Sequence, residues 1–86
     1  MYTVYVLESR KDGKYYYGFT DNIERRLDQH NKGEVTSTKS RIPFKLIYSE
    51  KVSNIIEARK KEKYFKSGFG RKYVRNQINK ALSSNG

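Results

Sequence analysis

One carboxylate interrupts an otherwise apolar helix face and is the first candidate for chemistry. At about 100° per residue, Glu62 falls on the same stripe as Ile55, Ala58 and Phe65. A buried carboxylate without a partner costs several kcal/mol, so Glu62 is predicted to be paired, protonated or bound to a metal ion. Pairing with a lysine at the edge of the stripe is the structural alternative to a functional role.

Two groups that can hold a phosphate or carry a proton lie one turn apart on an earlier helix. Ile23, Arg26, Leu27 and His30 fall on one stripe, which predicts that Arg26 and His30 face inward. Arg26 stays charged when buried and can bind a phosphate, whereas His30 can move a proton near neutral pH. For His30 alone, a hydrogen-bonded core histidine is the alternative.

A pair of tyrosines is predicted to meet on one face of a β-hairpin. Asp12-Gly13 is a strong turn signal between two segments rich in aromatic and β-branched residues. If the turn holds an even number of residues, Tyr5 shares a face with Tyr16 and Gly18. The glycine leaves room for a ligand beside them. Each tyrosine taken alone is more simply explained as a core residue.

These side chains together supply the parts that phosphodiester cleavage requires. The reaction needs a metal ion to stabilise charge, a basic group on the phosphate and a group that activates water. Glu62, Arg26 and the two tyrosines can provide those functions. The residue types permit this reaction without singling it out.

The elements that must position these side chains follow from hydrophobic periodicity and turn signals. The first helix can be capped by Asp21 or Asn22 and ended by Gly33, and the second has the capping-box spacing of Asn54 and Glu57. Gly68 and Gly70 are predicted to separate the second helix from the third. The sequence predicts strands over 2–7, 14–20 and 44–52, a polar loop over 34–42, and helices that begin at 23, 55 and 71. Residues 1–82 are expected to form a single domain, followed by a frayed tail over 83–86.

The charge balance points to a polyanionic partner. The chain has 86 residues and a formal net charge of +10, from 19 Lys and Arg against 9 Asp and Glu. A basic domain of this size typically binds nucleic acid, and a soluble protein that is merely basic is the alternative. Cysteine is absent, which excludes disulfides and thiolate metal sites. No signal peptide or apolar segment of membrane-spanning length is recognisable, so we expect a cytoplasmic protein without membrane contact.

The order of short motifs along the chain resembles the GIY-YIG nuclease family, in particular its small stand-alone members. Thr3-Val4 stands in place of Gly-Ile in the first motif, and Tyr17 in place of the second Ile. Both motifs keep their tyrosine, so we interpret the changes as packing variants. The matching segments are Thr3-Val4-Tyr5, Tyr16-Tyr17-Gly18, Arg26, His30, Asn31-Lys32-Gly33, Arg41-Ile42-Pro43, Glu57-Ala58, Glu62 and Lys66.

The resemblance implies an α+β fold, a three-stranded antiparallel sheet flanked by about three helices, with one divalent metal, usually Mg²⁺. Glu62 matches the glutamate that holds this metal. Tyr16 matches the tyrosine that activates water, and Tyr5 matches its partner in the first motif. Arg26 matches the arginine that stabilises the phosphate, and His30 matches a common histidine of the family.

The first functional hypothesis is therefore a divalent-metal-dependent endonuclease that acts on DNA, in repair or in the processing of branched structures. RNA is the alternative substrate. Larger relatives carry a separate domain that sets specificity, so a partner protein can supply it here. The oligomeric state and any role of Asn76 are left open.

The second hypothesis is a non-catalytic basic module that retains the nuclease fold and binds DNA or RNA. In that case Lys39, Arg41 and the lysines of the second helix would contact phosphates. Under the enzyme hypothesis, Arg26, Lys39 and Arg41 are the predicted nucleic-acid contacts. A basic protein-interaction domain is the third hypothesis, and it predicts no nucleic-acid binding at physiological salt.

Overall fold

The three predicted strands form one antiparallel sheet in the computed structural model, which describes the backbone of residues 1–83 and the side chains of residues 1–81. The strands are β1 (Tyr2–Ser9), β2 (Tyr15–Thr20) and β3 (Phe44–Val52). Their order in the sheet is β2-β1-β3, so β1 is central and β2 lies at an edge. The sheet confirms the fold class predicted from the sequence.

The central strand is buried on both faces. Val4 and Val6 pack into one core cluster, whereas Tyr5 and Leu7 pack into another on the opposite face. Because side chains alternate along a strand, this division requires a covering layer on each side of the sheet. The unbroken run of apolar residues in β1 is explained by that double burial.

One face is covered by α1 (Ile23–Asn31). The Asn22 side chain caps the helix by accepting a hydrogen bond from the Arg25 backbone N–H. Gly33 follows the helix with φ of 76°, as the sequence predicted for a left-handed terminating residue. The apolar side of α1 packs through Ile23 and Leu27 against the cluster that contains Tyr5.

The other face is covered by α2 (Ile55–Lys66) and α3 (Gly68–Ser83). Ala58 and Phe65 of α2 are buried there together with Val74 of α3. Ile55 was predicted on the inward stripe of α2, but it is 38% exposed. Ile55 is the first residue of α2, and it lies beyond the part of the sheet that the later turns of the helix cover.

The predicted separation between the second and third helices is wrong. α3 begins at Gly68 rather than at 71, and only Ser67 lies between the helices. The Ser67 hydroxyl accepts a hydrogen bond from the Gly70 N–H, which caps α3 immediately after α2 ends. A side chain at Gly70 would collide with the Tyr64 carbonyl oxygen, so this glycine permits close contact between the helices rather than ending one.

The segment 34–42 was predicted to be loop throughout, and this is also wrong in part. It contains a short 3₁₀ helix, Lys39–Arg41, and a fully buried residue, Thr38. The polar composition of the segment suggested exposure, but a polar side chain can be buried when it is hydrogen-bonded. The Thr38 hydroxyl has hydrogen-bond partners inside the protein.

Two further predictions concern the C-terminal tail and contact with a membrane. The predicted tail over 83–86 lies outside the described residues, apart from Ser83, which ends α3. Among the described helices, none combines the length and the hydropathy that crossing a bilayer would require.

Candidate functional site

A cavity of about 500 Å³ lies along the free edge of β2. Consecutive residues of the strand, 15–19, line it with side chains from both faces of the sheet. The remaining lining residues carry mainly polar or charged groups: Tyr5, Arg26, Glu62, Lys66 and Arg71. Three cations and one carboxylate make this cavity electropositive, which favours a phosphate-containing ligand.

The edge position lets residues from opposite faces of the sheet meet. Arg26 is held by α1 on one face, and Glu62 by α2 on the other. Both side chains are half-buried, and both line the cavity. Arg26 Nη1 donates to Gln29 Oε1 at 3.2 Å, which restrains the guanidinium on the α1 side. A phosphate in this cavity would thus lie between a fixed positive group and a carboxylate.

The two tyrosines lie on one face of the hairpin, as the parity of the strands predicted. Tyr5 pairs with Gly18 across the strands, and Leu7 pairs with Tyr16. The Tyr5 and Tyr16 rings have centroids 6.5 Å apart. A Cβ at Gly18 would lie 2.5 Å from the Tyr5 hydroxyl oxygen, so only glycine allows this ring to cross the strand. The glycine therefore sets where the Tyr5 hydroxyl lies.

The Tyr5 hydroxyl belongs to a buried hydrogen-bond chain. It lies 3.1 Å from His30 Nε2, and His30 Nδ1 lies 2.8 Å from Thr38 Oγ1. The Thr38 hydroxyl donates to the Val35 carbonyl oxygen at 3.4 Å. With that proton committed, Thr38 Oγ1 accepts from His30 Nδ1–H, and His30 Nε2 accepts from the Tyr5 hydroxyl.

Electrostatics keep both members of this pair in their neutral forms. Burial, reinforced by the positive charge of Arg26, lowers the pKa of His30 to about 4. Burial also raises the pKa of Tyr5 above its usual range, although the neighbouring Arg26 guanidinium acts in the opposite direction. At neutral pH the neutral His30 therefore accepts a hydrogen bond from the Tyr5 hydroxyl, which keeps its proton, and this bond fixes the position of the tyrosine ring.

The lowered pKa of His30 predicts that stability falls on acidification. The unfolded chain binds this proton near pH 6.5 and the folded chain only near pH 4, so the contribution is complete above pH 6.5 and is lost as pH falls toward 4. We expect the free energy of unfolding to drop by about 2 to 3 kcal/mol over that window. Urea titrations of wild type and His30→Gln measure it. An equal drop in the variant would contradict the assignment.

The Glu62 carboxylate is paired with a lysine, the alternative that the sequence had left open. Lys66 Nζ lies 2.7 Å from Glu62 Oε1, one turn further along α2. The lysine side chain is 54% exposed and the glutamate 20%, so the pair costs little to separate. A cation in the cavity can therefore replace Lys66 at this carboxylate.

A metal ion in this cavity would have one protein carboxylate. Among the described residues, no group of three or more His, Asp or Glu side chains lies close enough to hold an ion. A single carboxylate supplemented by water and a substrate phosphate suits Mg²⁺, which keeps most of its hydration shell in proteins. The donor set thus fits Mg²⁺ and does not fit the closed cages typical of zinc or calcium.

Three other residues considered in the sequence lie away from the cavity lining. Lys39 is exposed at the start of the 3₁₀ helix. Arg41 Nε lies 3.1 Å from Asp12 Oδ2, and its guanidinium lies over the Phe44 ring, so it links the hairpin turn to β3. Asn76 is exposed and does not line the cavity. Phosphate contacts by Lys39 and Arg41 remain predictions.

Sequence reasoning missed two residues of the site. Thr38 lies in a segment without periodicity, and nothing in its neighbours indicates burial. Arg71 lines the cavity from α3, a helix for which the sequence predicted only an apolar stripe. The spacing of Arg71 and Arg75, one helical turn apart, is the signal that could have marked a cationic side of this helix.

Comparison with known proteins shows relatives of similar sequence. The chain is 49% identical over 63 residues to a UPF0213 protein of Bacillus licheniformis, a match that covers 72% of this chain and 64% of the relative. The matched region thus spans slightly less than two thirds of that relative. A UPF0213 protein of Clostridium perfringens is 40% identical over 82 residues, covering 94% of this chain and 82% of the relative.

A solved structure and a protein-family model also match this chain. The solution NMR structure of a UPF0213 protein from Bacillus halodurans superimposes with a TM-score of 0.54 at 30% identity, covering 90% of this chain and 85% of the other. The model of the GIY-YIG catalytic domain matches residues 1–77, which include Tyr5, Tyr16, Arg26 and Glu62. The chain therefore belongs to the GIY-YIG family of nuclease catalytic domains.

Proposed function

We propose that this chain is an endonuclease that hydrolyses phosphodiester bonds of DNA with a divalent cation, and that residues 1–82 act as one catalytic unit. The observation that carries the proposal is the meeting of Arg26 and Glu62 beside Tyr16 in one electropositive cavity. The two charged residues come from helices on opposite faces of the sheet. A protein that binds nucleic acid by charge alone has no need for that convergence.

The proposed division of labour follows from burial and charge. Arg26 stabilises the negative charge that grows on the phosphate during attack, because its guanidinium stays ionised in a half-buried site. Tyr16 is half-buried and lines the cavity, so its hydroxyl can reach a water molecule there. Tyr5, 1% exposed and with its pKa raised by burial, acts as a positioning residue for Tyr16 and Arg26.

Glu62 is the residue that would hold the cation. Bound Mg²⁺ would supply stabilisation of phosphate charge and orientation of the substrate. Lys66 would then give up its partner and add a positive charge beside the phosphate. A cavity lined by Arg26, Lys66 and Arg71 would attract polyanionic DNA before any chemistry.

A cleavage panel tests the proposal. We expect the purified protein to cut at least one of duplex, single-stranded, flapped or four-way DNA with Mg²⁺ or Mn²⁺ and none with chelator. Tyr16→Phe removes only the hydroxyl, so it should lower the rate by about 10²- to 10⁴-fold, the usual contribution of general acid–base catalysis. Product formation on denaturing gels measures both effects, and an RNA substrate shows whether the sugar matters.

Two results would overturn the assignment. Equal cutting by wild type and Tyr16→Phe would identify a contaminating nuclease. A wild-type protein that binds DNA and cuts none of the substrates under any metal condition would favour the binding module.

The binding module has one observation in its favour. Lys66 already forms an ion pair with Glu62 in the structure, so this carboxylate has a positive partner without a metal ion. On that alternative, DNA affinity falls steeply with salt, Mg²⁺ only weakens binding as a competing cation, and the state of Glu62 has no effect. The biological setting that fits the nuclease proposal is DNA repair or branched-structure processing in the cytoplasm, with specificity provided by a partner protein.

A further inference from the structure

A second cavity of about 530 Å³ adjoins the first. The two share Tyr15, Tyr17 and Arg71 in their walls, so they form one continuous groove. From the first cavity, beside Arg26 and Glu62, the groove leads to the hairpin turn and the exposed side of α3. Lys14 and Arg75 line only the second cavity. None of the roles proposed for the cleavage site uses these two residues.

The second cavity is cationic. Lys14, Arg71 and Arg75 are all exposed, and within the described part of the chain none of the three takes part in an ion pair. The single carboxylate in its wall, Glu8, lies 3.6 Å from Arg10 and is already partnered. The three positive groups are therefore available to a ligand with several negative charges.

The floor of the groove is aromatic. Tyr15 and Tyr17 are half-buried neighbours on the same face of β2, with ring centroids 6.4 Å apart and planes at 70°. Burial raises the pKa of the Tyr17 hydroxyl, and the nearby positive charges of Arg71 and Arg75 act in the opposite direction. Aromatic rings within a track of positive charge are the usual arrangement for binding single strands, where stacking holds bases and the cations hold phosphates. A duplex keeps its base faces stacked and cannot use such rings.

We propose that the second cavity binds an unpaired polynucleotide strand next to the bond that is cleaved. Lys14, Arg71 and Arg75 contact its phosphates, and the Tyr15–Tyr17 pair packs against a base or sugar. The inference rests on the proposed endonuclease function, and it names the substrate class: DNA with an unpaired arm beside the cleavage site. Both cavities are lined by residues of the edge strand β2, so a single extended strand that follows β2 can contact both.

Binding measured without cleavage tests the subsite separately from the nuclease. Fluorescence anisotropy in chelator compares a duplex that carries a single-stranded arm of about 8 nucleotides, a length within the usual range for such sites, with the same duplex without the arm. The test variant is Lys14→Gln with Arg75→Gln. The matched control is Lys51→Gln with Arg59→Gln, an equal loss of charge at exposed positions outside both cavities.

The test variant should bind the armed DNA about 10-fold more weakly near physiological salt, with a much smaller change for the armless duplex. The slope of log affinity against log salt should fall by about 1.4, because each single-strand phosphate contact contributes about 0.7. The control pair should leave the preference for the arm unchanged. Equal losses from both pairs, or on both DNAs, would overturn the proposal. Selective binding without cutting in the metal panel would overturn the nuclease function and leave the strand subsite standing.

Discussion

Glu62→Gln is expected to lower metal-dependent DNA cleavage by about 1000-fold or more. Glutamine keeps the size and the carbonyl oxygen of the side chain and removes the negative charge that would retain a divalent cation. Loss of a metal ion that supplies several kcal/mol of transition-state stabilisation corresponds to a change of this size. The measurement is single-turnover cleavage of the substrate that wild type cuts best, across a range of Mg²⁺ concentrations.

The matched control for this prediction is Glu57→Gln, the same change on the same helix. Glu57 is exposed near the start of α2 and does not line the cleavage cavity. Glu62→Gln should leave the free energy of unfolding nearly unchanged, because the pair with Lys66 is largely solvent-exposed on the lysine side. Similar rates for the two variants would exclude Glu62 from the proposed metal site. A wild-type rate of Glu62→Gln at the Mg²⁺ concentration used for wild type would exclude it as well.

Gly18→Ala should destabilise the protein by about 1 to 3 kcal/mol, although alanine normally favours a strand over glycine. The added Cβ would lie 2.5 Å from the Tyr5 hydroxyl oxygen and 2.6 Å from the adjoining ring carbon. Tyr5 is 1% exposed and cannot swing into solvent without breaking its contact with His30. The ring must therefore shift, so cleavage should fall together with stability. Urea unfolding and the cleavage assay measure the two effects.

Two comparisons isolate the clash with Tyr5. Gly68→Ala adds a methyl group where no atom lies within 4 Å, and it should change stability by less than about 1 kcal/mol. In a Tyr5→Leu background the ring atoms that meet the new Cβ are gone, so Gly18→Ala should cost much less than in wild type. Equal costs in the two backgrounds would show that the glycine serves another purpose.

Much of the fold was predictable because its signals are local. The three strands and the first two helix starts follow from periodicity and from capping residues such as Asn22 and Asn54, whose side chains accept the expected backbone hydrogen bonds. The shared face of Tyr5 and Tyr16 follows from the two-residue period of a hairpin. At the junction before α3, one of the places where the prediction was wrong, the competing effect was close helix contact at Gly70.

For the candidate site, the sequence indicated which residue types were available and which element carried each one. The apolar stripes of α1 and α2 marked Arg26, His30 and Glu62 as unusual, and the order of motifs matched a nuclease family. Periodicity describes one element at a time, however. It holds no information about how two helices are oriented across a sheet, so it could not show that Arg26 and Glu62 meet at its edge.

By itself, therefore, the sequence determined the three strands, the starts of the first two helices, the basic charge and the family. Only the tertiary structure decided that β2 is an edge strand, which lets the two faces of the sheet contribute to one cavity. It also decided that Thr38 completes the hydrogen bonds of His30, and that Arg71 joins the cavity from α3. The physical reason is that such contacts join residues far apart in the chain, and their geometry is set by packing of whole elements rather than by local spacing.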